Sequence, residues 1–128
     1  GIEHRVPLSP QAMEVLSKIE GLSDDLVFPS ATNGKVQSDA AIRALLERMK
    51  RTGFTVHGFR SAFRDWASES AHADREVAEA ALSHAVGTDT ERAYARSDLF
   101  DRRRSLMKAW GAFCSSADIA EPKVKADG

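Results

Sequence analysis

The chain has 128 residues, 42% of them hydrophobic and 29% charged, which suits a globular protein with one buried core. Its apolar runs are too short for a transmembrane helix, no basic-then-apolar leader opens it, and its single cysteine, Cys114, has no internal disulfide partner. A cytoplasmic setting is the expectation, and the formal net charge of −1 argues against indiscriminate nucleic-acid binding.

The elements read in order as follows. Residues 3–8 look like a short strand ending at Pro7. Ser9-Pro10 then starts a helix, a capping hydroxyl followed by proline at the first helical position, with Met13, Leu16 and Ile19 on its apolar face and Gly21 as its stop. Leu26-Val27-Phe28 predicts a brief extended segment, and Thr32-Asn33-Gly34 a turn. Ser38-Asp39 predicts the cap of a second helix with Ile42, Leu45, Leu46 and Met49 at helical spacing, closed by Gly53.

A third helix follows Phe54-Thr55-Val56, with Phe59, Ala62, Phe63, Trp66 and Ala67 forming one apolar stripe. Arg60 lies about 100° round the helix from Phe59, and Arg64 one turn beyond it, so both point away from the stripe's centre. His57 and Arg60, three apart, share a face at the first turn. Asp74 begins a short fourth helix through Leu82, and Thr88-Asp89-Thr90-Glu91 reads as a capping box that puts Tyr94 on a fifth. Ser97-Asp98 predicts the cap of a last helix bearing Leu99, Leu106, Met107, Trp110 and Phe113. The expected class is mainly α with a small β element. Residues 1–114 form the expected domain, which reads as an excised piece of a longer protein, and 115–128 a flexible tail.

Charge is unevenly spread. Arg43, Arg48, Lys50, Arg51, Arg60 and Arg64 face only Glu47 over residues 43–64, and Arg92, Arg96, Arg102, Arg103, Arg104 and Lys108 recur later. An acidic stretch with Glu69, Asp74, Glu76, Glu79, Asp89 and Glu91 lies between them. A folded surface can therefore present a basic face for which Arg48, Lys50, Arg51, Arg64, Arg92 and Arg96 are the candidate DNA contacts, against the plainer account of solvated helix faces.

The chemistry-bearing set is His57-Gly58-Phe59-Arg60, then Leu82-Ser83-His84, then Tyr94 ten positions on. Singly, each has a mundane role: a packing tyrosine, a surface ion pair, a satisfied imidazole. Together they are what a tyrosine oxygen needs to attack a phosphodiester. A free phenol, with a pKa of about 10, needs cations to favour its anion and to stabilise the crowded transition state. An arginine fork holding two phosphate oxygens supplies this. Other centres are not legible: His4, His57, His72, His84 and Cys114 have no zinc spacing, no Gly-rich phosphate loop precedes a helix, and Ser61 and Ser83 lack a triad.

The ordered set resembles the tyrosine recombinases of the phage-integrase family, in the style of prophage and genomic-island integrases. His4-Arg5-Val6-Pro7-Leu8-Ser9, Leu26-Val27-Phe28-Pro29 and Thr55-Val56-His57-Gly58 extend the resemblance from about residue 3 to about residue 113. It implies the C-terminal portion of the family's catalytic fold. Tyr94 would form a 3′-phosphotyrosyl link, Arg60 would bind nonbridging oxygens, and His57 and His84 would complete the pocket, with His57 a proton acceptor. No cofactor or metal is implied. The implied partners are double-stranded DNA attachment sites and a homo-oligomer, a tetramer in the parent, with no membrane.

Two departures matter. The family's earlier arginine and its β-hairpin lysine cannot be placed on this chain, so the isolated chain is expected to be inactive. Ser83 stands where many members have glycine. Two other function classes stay open: a non-catalytic DNA-binding remnant of an integrase, and a helical interaction module presenting Leu106, Trp110 and Phe113 to a partner.

Overall fold

A computed structural model describes residues 3–84 and 99–116. Among them are five helices: α1 (Pro10–Ser17), α2 (Ala41–Arg48), α3 (Val56–Glu69), α4 (Arg75–Ala81) and α5 (Phe100–Cys114). The mainly α expectation holds there. The small β element does not: the described residues contain no strand, only one antiparallel bridge between Pro29 and Val36. A short extended segment becomes a strand only when a neighbour takes its backbone groups. Residues 3–8 meet no pairing strand among the described residues, and the Arg5 carbonyl accepts from the Arg103 guanidinium on α5. The extended segment expected at 26–28 also fails. Ser23 Oγ accepts from the backbone N–H of Asp25 (3.3 Å) and Leu26 (3.2 Å), which bends the chain there.

α1 begins as its sequence predicts, with Ser9 Oγ accepting from Ala12 N–H at 3.1 Å and Pro10 at the first position. α2 departs at both ends. Ala40, not Ser38 or Asp39, stands at its N-cap and is already helical, so no side chain reaches the free N–H groups. It stops at Arg48 rather than Gly53, because Lys50 takes the left-handed conformation (φ +56°). That closes a Schellman turn, Arg51 N–H to Leu46 O at 2.8 Å and Lys50 N–H to Glu47 O at 2.9 Å. Ile42, Leu45 and Met49 of α2 remain exposed.

The core lies where α3, α4 and α5 meet. Phe63, Trp66 and Ala67 of α3 pack with Val77, Ala78, Leu82 and Leu106, and with the partly buried Leu99, Met107 and Trp110. The α3 stripe is thus buried over its later turns, while Phe59 at its start stays 52% exposed. Phe63, Trp66, Trp110 and Phe113 form one aromatic cluster with ring centroids 5.0–6.0 Å apart. The Leu106–Trp110 stripe therefore belongs to this chain's own core.

α1 packs on α5 through Gly111. A Cβ built there would stand 2.5 Å from Ser9 Oγ and from Gln11 Oε1, and 2.6 Å from Ser9 Cβ. Gly111→Ala must push the α1 cap away, and its expected cost is about 1–3 kcal/mol, as for an overpacked core. The check is a lower denaturant midpoint at unchanged m-value.

α5 ends at Cys114, and residues 117–128, expected as a tail, lie outside the described residues.

Candidate functional site: an arginine–histidine pair between α3 and α4

Local sequence at two helix ends builds this site. Thr55 caps α3, its Oγ1 accepting from Gly58 N–H at 2.9 Å, which fixes the first turn bearing His57 and Arg60. α4 closes in a Schellman turn: Ser83 N–H to Ala80 O at 3.1 Å, and His84 N–H to Glu79 O at 2.9 Å. Ser83 sits at the left-handed position of that turn (φ +57°), the place where glycine carries no steric penalty. The turn folds His84 back over the last turn of α4.

Arg60 meets it there. Its Nη2 donates to the Leu82 carbonyl at 2.6 Å and lies 2.8 Å from His84 Nε2. The other ring nitrogen, Nδ1, lies 2.6 Å from Glu79 Oε2, and Glu79 Oε1 lies 3.2 Å from Arg64 Nε. The network assigns the tautomer. A guanidinium only donates, so Nε2 accepts, and Nδ1 carries the proton given to Glu79. Arg60 also places its charge against the C-terminal carbonyls of α4, the negative end of that helix.

Glu79 is 13% exposed, against 41% for His84. Its carboxyl is held below the ordinary value of 4.5, chiefly by the His84 hydrogen bond and then by Arg64, with burial opposing. A folded value below the unfolded one means that Glu79 stabilises the fold above about pH 4.5. That contribution is lost as pH falls through the lower folded value. Glu79→Gln should therefore flatten the acid limb of a stability-against-pH curve between the two values, measured by denaturant titration.

Of the sequence candidates, Arg60 and His84 are brought together. His57 lies one turn before Arg60 at the exposed start of α3, its carbonyl accepting from Ser61 Oγ at 3.5 Å. Arg64 faces Glu79, with its side chain 57% exposed. Arg48, Lys50 and Arg51 form an exposed basic group at the end of α2. Tyr94, Arg92, Arg96, the 88–91 capping box and the Ser97-Asp98 cap lie outside the described residues, and Leu99 stands at the α5 N-cap. The sequence reading missed Glu79; its signal was the helical spacing Glu79-x-x-Leu82-x-His84 ahead of a left-handed residue.

With a proton on His84 Nε2, the Arg60 fork and the imidazole would both donate toward one point, a geometry that suits two oxygens of a phosphate. Among the described residues, no three of His, Cys, Asp and Glu gather as metal ligands, and no helix is long and apolar enough to cross a membrane.

Two curated proteins are similar to the chain. Prophage integrase IntA of Escherichia coli (strain K12) is 33% identical over 120 residues, which cover 91% of this chain and 29% of that protein. The integrase of Enterobacteria phage P4 is 34% identical over 118 residues, 87% of this chain and 27% of that protein. The chain thus spans under a third of the length of the relatives it matches. No protein-family profile matches it, and neither does any solved structure.

Proposed function

We propose that this chain, which belongs to the integrase family over the stretch it shares with these relatives, is the C-terminal part of a tyrosine-recombinase catalytic domain. The whole protein would carry out site-specific DNA recombination, integrating and excising a mobile element. The observation that carries this reading is the 2.8 Å approach of Arg60 to His84 across 24 positions of sequence.

In this reading Tyr94 Oη attacks the scissile phosphorus as its proton leaves, with His57 the acceptor. The bond to the 5′ oxygen breaks, that oxygen leaves as a 5′-hydroxyl with a proton from the upstream lysine of the resembled family, and a 3′-phosphotyrosyl link keeps the bond energy. Arg60 and His84 donate to the nonbridging oxygens, which carry more charge in the transition state than in the ground state. A partner strand's 5′-hydroxyl then attacks the link and frees Tyr94. Arg48, Lys50 and Arg51, with Arg92 and Arg96, contact the DNA backbone, and the protein acts as a tetramer on its attachment sites.

The isolated chain is expected to cleave little DNA, since the upstream arginine and lysine of the resembled family have no counterpart on it. The test is therefore made on the full-length protein, with a nicked attachment-site duplex and a denaturing gel. A covalent adduct whose DNA maps to the peptide containing Tyr94 is the expected result. DNA binding with no adduct would overturn the enzyme reading and leave a non-catalytic DNA-binding remnant.

A further inference from the structure

An acid within a phosphate pocket needs an explanation, because its charge repels the ligand. Glu79 is that acid. It is less exposed than the two side chains it links, at 13% against 41% for His84 and 57% for Arg64. A solvated helix ion pair would not require this arrangement. Its two oxygens go to different elements, Oε1 to Arg64 on α3 at 3.2 Å and Oε2 to His84 Nδ1 at 2.6 Å. Its backbone carbonyl takes the His84 N–H as well, at 2.9 Å. Ring and main chain of His84 are thus both tied to one residue, which leaves the imidazole a single orientation.

We propose that Glu79 is a positioning residue of the phosphate site: it locks His84 as the Nδ1–H tautomer and aims Nε2 at the point Arg60 faces. The proposal rests on the phosphate-site reading above. In the ligand-free arrangement Arg60 Nη2 gives its hydrogen to Nε2. A phosphate oxygen cannot bind between two groups of which one is an acceptor. Nε2 must therefore take a proton from water, after which Arg60 and His84 both donate to the ligand. Arg60 keeps its bond to the Leu82 carbonyl and so stays in register. The charged groups facing His84 are Glu79 from α4 and Arg60 from α3, with Arg64 on the far side of Glu79. The Glu79 charge offsets the repulsion between a protonated His84 and Arg60.

The experiment uses the 128-residue chain labelled with 15N, reading the ring nitrogens of His84 by long-range proton–nitrogen correlation, with inorganic phosphate as probe. The expected spectrum has a protonated-type Nδ1 and an acceptor-type Nε2, and phosphate moves the Nε2 signal toward the protonated type. In Glu79→Gln, which can also donate to Nδ1, the Nδ1–H preference should be lost and the phosphate-induced change at Nε2 should shrink. Glu79→Asp, which withdraws the carboxylate by one methylene, should mix the two tautomers and serves if the glutamine variant does not fold. An unchanged tautomer and an unchanged phosphate response in a folded variant would overturn the positioning role while leaving the recombinase reading standing. A tautomer that follows Glu79 in a spectrum that ignores phosphate would overturn the phosphate site itself, and the role of Glu79 in it.

Discussion

Arg60→Lys in the full-length protein should slow strand cleavage by about 10²–10³-fold, the usual loss when one preorganised donor to a transition-state oxyanion is removed. Charge is conserved in this substitution, so the loss would come from geometry. Arg60 has two tasks: one nitrogen, Nη2, is committed to the Leu82 carbonyl at 2.6 Å and to His84 Nε2 at 2.8 Å, and the rest of the fork is left to donate elsewhere. A lysine has one nitrogen on a flexible stem, so it can hold the α4 carbonyl or the phosphate but not both. Duplex binding should weaken far less than cleavage, because Arg60 would be one phosphate contact among several and most affinity comes from the summed backbone charges. The measurement is single-turnover cleavage of a nicked duplex beside a gel-shift titration at the same salt. Equal losses in both would make Arg60 an ordinary DNA-backbone contact, and cleavage within a few-fold of wild type would remove it from the pocket.

What the sequence made legible, and what it did not, divides along a physical line. Features set by neighbours within a turn could be read directly: the Ser9-Pro10 start of α1, and the α3 stripe through Phe63, Trp66 and Ala67. The pairing of Arg60 with His84 was legible only through the ordered motif, since nothing in composition or periodicity joins residues so far apart. Glu79 was hidden because it reads as one more acid in an acidic stretch. It becomes part of the site only through the left-handed Ser83, which closes the turn and lays His84 over it. The Arg64–Glu79 ion pair was hidden for the complementary reason: nothing beside a helical arginine one turn past Arg60 announces the carboxylate that α4 brings to it. The strand expected at residues 3–8 failed because a short run of sequence suggests an extended segment but not its pairing strand, and the described residues supply none.

Trp66→Ala should cost about 3–5 kcal/mol, the range for truncating a buried large aromatic side chain. Trp66 is 9% exposed, with its ring centroid 5.0 Å from Trp110, 5.7 Å from Phe113 and 6.0 Å from Phe63. Deleting the indole leaves a void between α3 and α5 that backbone movement fills only in part, so lost contacts add to lost burial. For a chain of this size the expected fall in Tm is on the order of 15 °C. Phe113→Ala is the matched comparison, because Phe113 touches the same cluster from the rim at 42% exposure. Its cost should be well under half as large, since much of the ring already meets water. A smaller loss for Trp66→Ala than for Phe113→Ala would overturn this assignment of core and rim. The effect should also reach the site, because α3 carries both Trp66 and Arg60. In Trp66→Ala, loosening α3 against its neighbours should broaden the His84 ring signals before the chain unfolds, whereas Phe113→Ala should leave them sharp.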